Sequence, residues 1–178
     1  MLKQKRKKCI IAAALVLFAI MLVGCVVWTG VIEIFSFNRA SLTDTKLGAS
    51  FSLEKLKNYE TSDDAAFGMS LYQSADGFAR IKVSKYPDTL LGASRVTGLY
   101  LYEGDTAHHI LGIRIGDRAN VAHELLGNNG FQVTHSGAGI IRAERGNIVI
   151  RMSINEKNRV SFLAAELTAT NWFRLQYK

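Results

Sequence analysis

The feature that most constrains this chain is an uninterrupted apolar segment near its N-terminus. Residues 10–32 number 23 and include no charged side chain, whereas a helix needs about 20 apolar residues to cross a bilayer. Five basic side chains precede the segment, and Glu33 follows it. The positive-inside rule orients such a segment with its N-terminus in the cytoplasm. The sequence therefore predicts a single-pass cell-membrane protein, with residues 1–8 cytoplasmic, residues 9–33 in the membrane and the C-terminal domain extracytoplasmic.

The same segment is also compatible with two kinds of processing. Leu22-Val23-Gly24-Cys25 matches the lipobox of bacterial lipoproteins and follows a basic and then an apolar stretch. Processing there would cleave the chain before Cys25 and acylate its sulfur, whereas an ordinary secretory signal peptide would simply be removed. The apolar run continues to Ile32, which favours an uncleaved helix. Either the helix or a lipidated Cys25 would make membrane lipid a partner of the N-terminal anchor.

The rest of the chain is long enough for one ordinary domain and has a nearly balanced charge. The whole chain of 178 residues has a net charge of +7, but residues 38–178 contain 17 basic and 14 acidic side chains. This small excess, without a basic stripe, argues against a nucleic-acid partner. Both cysteines lie in or beside the apolar segment, so the domain has no disulfide available to it.

Residues 106–178 show a pattern of one helix followed by antiparallel strands. Ile110 to Gly116 alternates like a short strand, and Asp117 is a candidate helix N-cap. The apolar stripe of the predicted helix consists of Val121, Ala122 and Leu125. Strand-like runs follow at 139–144, 148–154 and 160–167, separated by short polar turns.

Residues 47–105 repeat this pattern less clearly, after a polar linker at 34–46. Apolar spacing predicts a helix from about Phe51 to Tyr59 and then strands at 67–73, 78–85 and 96–103. The sequence therefore predicts an α+β fold, in which an N-terminal transmembrane helix is followed by two helix-plus-antiparallel-meander halves. The two halves would be an internal repeat.

The second half carries a resemblance to known extracytoplasmic folds. Ile113-Arg-Ile-Gly116, the Asp117 cap and Leu125-Leu126-Gly127 resemble the opening of small helix-plus-sheet repeats. These repeats include the β-lactamase-inhibitor-protein-like fold and the SmpA/OmlA outer-membrane-assembly lipoprotein fold. The resemblance implies a binding or scaffolding module that presents its sheet to a protein partner. It implies no catalytic residues and no cofactor.

Few residues in the sequence suggest a catalytic or metal-binding site. His108, His109, His123 and His135 lack the spacing of a zinc site, and we predict no metal ligand. Ser52 to Lys55 spells S-x-x-K, but no K-T-G follows it, and we predict no catalytic residue and no cofactor. Tyr100 and Tyr102 are two residues apart in a predicted strand, so they share one face of the sheet and are candidates to contact a partner.

These features predict a membrane-anchored extracytoplasmic binding or accessory module of the bacterial cell envelope that is not an enzyme. Its expected partners are membrane lipid and an envelope protein. Two alternatives stay open. One is a small envelope enzyme with an unrecognised site, and the other is a sensor or regulator of a neighbouring membrane protein. The sequence does not indicate an oligomeric state.

Overall fold

The computed structural model describes residues 11, 13–21, 32–49, 51, 54, 56–62, 69–84 and 94–168. Eight strands form one antiparallel sheet in the order β1-β2-β3-β4-β8-β7-β6-β5. The strands are β1 (Tyr59–Ser62), β2 (Met69–Ser74), β3 (Ala79–Ser84), β4 (Arg95–Tyr102), β5 (Gln132–Gly137), β6 (Ile140–Arg145), β7 (Ile148–Ile154) and β8 (Val160–Leu167). The helical stretches among the described residues are 13–21, 32–39 and Ala119–Asn128.

The sheet is continuous because β4 and β8 pair directly along five positions, from Gly98↔Glu166 to Tyr102↔Phe162. This pairing joins the β1–β4 meander to the β5–β8 meander edge to edge. The predicted fold, an N-terminal transmembrane helix followed by two helix-plus-antiparallel-meander halves, is wrong. The structure is instead a single eight-stranded sheet with short helical stretches. The proposed division of the chain near residue 105 stays a prediction.

The predicted single-pass localisation is also contradicted. A membrane helix needs about 20 consecutive apolar residues. No helix in the part of the chain that the structure describes is long and apolar enough to cross a bilayer. Cys25, the candidate lipidation residue, lies outside the described residues.

The helix predicted at Phe51 to Tyr59 is replaced by extended backbone at both ends. Phe51 N donates to Ser94 O at 2.8 Å, and Gly48 and Ala49 form backbone hydrogen bonds with Val96. Tyr59 is the first residue of β1. Apolar spacing suggested a helix here, but the backbone around Phe51 instead makes long-range hydrogen bonds with the start of β4.

Two expectations around the second helix are also wrong. Ile110 and Ile113 exchange backbone hydrogen bonds across a tight turn, and Leu111 has a φ of 56° there, so no strand forms at 110–116. Arg118, not Asp117, is the helix N-cap, and it makes no side-chain cap bond. The Asp117 carboxylate instead accepts a hydrogen bond from Arg114 N at 2.7 Å.

One face of the sheet, called the inner face from here on, carries the hydrophobic core. Alternate residues of β7 and β8 point into it, and the helix Ala119–Asn128 contributes Ala122 and Leu126, both fully buried. Val121, expected on the apolar stripe, is 40% exposed. Helical residues 32–39 contribute Phe37, which is fully buried. The largest fully buried side chains include Phe37, Leu47, Ile81, Leu101, Ile110, Ile113, Leu126, Ile148, Ile150, Met152 and Leu163.

Candidate functional site

The opposite face of the same strands, called the outer face, carries aromatic and charged side chains. The register places Tyr100 beside Arg80 and Ala164, and Tyr102 beside Phe162. None of these five residues belongs to the core cluster. The outer face includes Leu71, Gln73, Arg80, Lys82, Gly98, Tyr100, Tyr102, Ile140, Arg142, Glu144, Val149, Arg151, Ser153, Phe162, Ala164 and Glu166.

Tyr100 lies flat on this face because its neighbour two positions back is a glycine. A Cβ added at Gly98 would lie 2.8 Å from the Tyr100 hydroxyl and 2.9 Å from its Cε2 atom. The phenol crosses to the adjacent strand and donates a hydrogen bond to Glu166 Oε1 at 2.5 Å. Burial, together with this bond, raises the pKa of the Tyr100 phenol above its ordinary range. The ring is thus held in a fixed position.

Tyr102 and Phe162 extend the aromatic surface. The Phe162 ring centroid is 5.2 Å from that of Tyr102 and 6.5 Å from that of Tyr100, both within the range of favourable ring pairs. The Arg80 guanidinium lies 5.0 Å above the Tyr102 ring, in cation–π geometry. All three rings are half-buried. We call Tyr100, Tyr102 and Phe162 the aromatic platform.

Ion pairs surround the aromatic platform. Arg151 Nη2 lies 3.2 Å from Glu166 Oε2, so Glu166 is shared between the arginine and Tyr100. Arg142 Nε pairs with Glu144 at 2.8 Å on the neighbouring strand. These contacts occupy the carboxylates that a catalytic pair would need. The arrangement favours a rigid surface for contact over an acid–base site.

One edge of the sheet is poorly suited to pairing with another chain. The edge strand β5 has a register shift between Val133 and His135. Bulges are common devices that prevent edge-to-edge association. Addition of a further strand at β5 is therefore disfavoured.

A second polar cluster surrounds His108, in the loop after β4. His108 Nδ1 lies 2.8 Å from Asp105 Oδ2, and Nε2 lies 3.1 Å from Asp44 Oδ1. Tyr59 donates to the other Asp44 oxygen at 2.9 Å. An Asp–His pair of this kind orients a general base in hydrolases, but here Nε2 contacts a carboxylate instead of a hydroxyl nucleophile. The cluster joins two segments of the chain.

Among the described residues, no group of three or more His, Cys, Asp or Glu side chains is arranged so that it could hold a metal ion. His109 Nδ1 accepts a hydrogen bond from Gly112 N at 3.2 Å, and burial, together with Arg114 and Lys46, lowers the pKa of the His109 imidazole. His123 is exposed on the helix. Ser52, from the S-x-x-K pattern, lies outside the described residues.

Sequence reasoning placed Tyr100 and Tyr102 correctly on one face but missed their neighbours. Phe162, Glu166 and Arg80 contact them from other strands, and Glu166 is 66 positions from Tyr100. Asp44 is likewise 64 positions from His108. The one available signal was the alternation in 160–167, which places Phe162 and Glu166 on the same face. The partner-facing role of the tyrosines stays a prediction.

Comparisons with known proteins give little further information. No family model matches the sequence, and no curated protein matches it. Among solved structures, the chain is similar to a cysteine-rich secretory protein from Staphylococcus aureus subsp. aureus Mu50, with a TM-score of 0.39 and 14% sequence identity. The match covers 75% of this chain and 48% of the staphylococcal chain. A similarity this low supports no conclusion about fold or function.

Proposed function

We propose that this protein is a noncatalytic binding module that receives a protein partner on the outer face of its sheet. The observation that carries the proposal is the aromatic platform, held by Gly98 and Glu166 on the face opposite the core. Tyrosine and arginine are enriched at binding hot spots because they combine large contact area with polar groups. Tyr100, Tyr102 and Arg80 provide this combination.

Preorganisation also supports the proposal. Ordering a flexible side chain on binding costs about 0.5–1.5 kcal/mol. Tyr100 is already restrained by a hydrogen bond, and Tyr102 by ring and guanidinium contacts. A partner would therefore meet side chains that lose little further freedom. The bulge in the edge strand β5 also disfavours strand addition at that edge.

Site-specific photocrosslinking tests this proposal. A benzophenone amino acid replaces Tyr102 in the full chain, which is then produced and irradiated in its own cells. The matched control places the same group at Phe35, which is 70% exposed and belongs to the helical residues 32–39 on the core side. We expect a discrete crosslinked protein from position 102, and its loss when Phe162→Ala is added.

Identical products from both positions would overturn the proposal, as would a product at position 102 that persists with Phe162→Ala. Circular dichroism of the Phe162→Ala chain shows whether the sheet is intact. If that variant does not fold, Arg80→Gln provides the same comparison, because Arg80 contacts the edge of the aromatic platform through Tyr102.

A further inference from the structure

The His108 cluster closes a contact between two segments that are far apart in the sequence. Asp44 belongs to the segment 41–46 that follows the helical residues 32–39, and Asp105 and His108 belong to the loop after β4. The imidazole bridges the two carboxylates at 2.8 and 3.1 Å. Asp105 is only 5% exposed. We call Asp44, Tyr59, Asp105 and His108 the histidine clasp.

The number of protons on His108 decides whether the histidine clasp is favourable. Both ring nitrogens face carboxylate oxygens, but a neutral imidazole carries only one N–H group. The other nitrogen would then direct a lone pair at a negatively charged oxygen. Only the imidazolium, with two N–H groups, donates to Asp105 and Asp44 at once. Such charge-assisted bonds are among the strongest in proteins.

We propose that the histidine clasp is a pH-dependent latch, which holds segment 41–46 against the loop after β4 while His108 is protonated and loosens when His108 loses its proton. This inference is independent of the partner-binding function proposed above. Asp105 stays in place when His108 loses its proton, because Asp105 Oδ1 accepts hydrogen bonds from the Ala107 and His108 amides, both at 3.0 Å. Asp44 is 45% exposed in its side chain, so it is the member that moves.

Neighbouring contacts extend the effect of the histidine clasp along the segment. Leu42 and His109 exchange backbone hydrogen bonds at 2.9 Å, and Leu111 N donates to Ser41 Oγ at 3.0 Å. Asn38 then holds Leu47, which is almost fully buried, by two hydrogen bonds at 2.9 Å. Loosening at Asp44 therefore weakens an end of the segment that covers the core.

The carboxylates around His108 favour its protonated form. Burial lowers the pKa of His108, but the hydrogen bonds and the negative charges of Asp105 and Asp44 together outweigh burial and raise that pKa above the ordinary value of 6.5. Asp76 adds negative charge from the β2–β3 turn, and Tyr59 donates to Asp44. Arg80 and Tyr100 border the same small cavity, but the register places their side chains on the outer face of the sheet.

The direction of the pH dependence follows from the raised pKa. A group whose pKa is higher in the folded state binds its proton more tightly there, so protonation favours folding. The stabilisation is complete below the unfolded pKa of about 6.5. It is lost as the pH rises through the higher folded pKa. The histidine clasp therefore loosens as the pH rises through the folded-state pKa of His108, which lies above 6.5.

Nuclear magnetic resonance of the full chain tests the proposal in two ways. First, the titration midpoint of the His108 ring should be higher in the folded chain than in the urea-unfolded chain, and Asp44→Asn should lower it. Second, hydrogen-exchange protection of the Leu42 and Leu111 amides, corrected for intrinsic rates, should fall about tenfold as the pH passes that midpoint. Loss of one charge-assisted hydrogen bond gives a change of this order.

His108→Gln should make this protection independent of pH, whereas His123→Gln, which removes an exposed histidine elsewhere, should leave the pH dependence unchanged. Constant protection across the titration in the native chain would overturn the proposal. A pH dependence that persists in His108→Gln would do so too. If His108→Gln does not fold, Asp44→Asn serves the same purpose, because a neutral amide no longer favours the imidazolium.

Discussion

Side chains on the inner face of the sheet are held by apolar packing in the core. Side chains on the outer face of the same strands are held by specific polar contacts. In β7, Ile148, Ile150 and Met152 are at most 1% exposed and pack in the core cluster. On the outer side of the same strand, Val149 is only 2% exposed, yet it lies outside that cluster. Its neighbours in the register are Glu144 and Glu166.

This difference shows that burial alone does not identify the core. Gly98, Val149 and Ala164 are buried although they lie on the outer face. Tyr100 illustrates this arrangement, since it covers Gly98 and reaches Glu166. Long side chains on a pleated surface can cover small neighbours without forming a second hydrophobic layer. The outer face can therefore be both ordered and available for contact.

The largest expected effect compares Asp substitutions at three consecutive positions of β7. Ile150→Asp places an unpaired charge in the core and should cost more than about 4 kcal/mol. Val149→Asp should cost about 2 kcal/mol, because Val149 is buried between two glutamates but lies outside the core cluster. Arg151→Asp should cost about 1 kcal/mol, since the Arg151 side chain is 50% exposed. Urea denaturation of the three variants measures these free energies of unfolding.

Equal losses at positions 150 and 151 would contradict the distinction between the two faces. A loss at Val149 as small as that at Arg151 would show instead that the outer face accommodates a charge at this buried position easily. Alternation alone would predict mild effects at both outer positions, so Val149→Asp distinguishes the structure from the sequence pattern.

The strands show how far local pattern predicts this fold. The bounds of β7 and β8 match the predicted runs 148–154 and 160–167, because apolar alternation there coincides with a half-buried strand. In contrast, the strand β1 was missed, and Phe51 pairs with Ser94 across 43 positions. Such pairing depends on long-range register, which periodicity does not record. The helix N-cap was misplaced by one residue because Asp117 bonds to Arg114 instead.

The candidate site was predictable only within a single strand. Tyr100 and Tyr102 share a face because side chains alternate along a strand. Their contacts with Phe162 and Glu166 depend on the pairing of β4 with β8, which brings together residues 60 or more positions apart. The histidine clasp also needs Asp44, on a segment that has no strand pattern. No local signal distinguishes His108 from a solvated loop histidine.

An intermediate effect is expected from a single methyl group under the aromatic platform. Gly98→Ala should force Tyr100 away from Glu166, because the added Cβ would lie 2.8 Å from the hydroxyl. Loss of that hydrogen bond should cost about 1 kcal/mol. The matched control is Gly127→Ala, in the helix Ala119–Asn128, where an added Cβ has no atom within 4 Å. That variant should gain about 0.5–1 kcal/mol.

Thermal and urea denaturation of the two glycine variants give these free energies. If Gly98→Ala were as stable as the native chain, Tyr100 would have found an equally good position elsewhere. In that case Gly98→Ala should also leave the crosslinking at position 102 unchanged. The two measurements together therefore test whether the position of Tyr100 matters for partner contact on the outer face.

The smallest effect is expected from Arg151, at the border of the aromatic platform. Arg151→Ala removes an ion pair with Glu166, and exposed ion pairs contribute about 0–1 kcal/mol. It also relieves the repulsion between Arg151 and Arg142, which are direct partners in the β6–β7 register. Because these two terms oppose each other, the net change should stay within about 0.5 kcal/mol. The change should shrink further in about 1 M salt, where charges are screened beyond about 3 Å.

A double-mutant cycle with Tyr100→Phe then measures the coupling between Arg151 and Tyr100. A coupling above about 1 kcal/mol would show that Glu166 needs Arg151 in order to hold Tyr100. A negligible coupling would show that the hydrogen bond over Gly98 is sufficient, so that the platform would stay in place when a partner displaces the arginine.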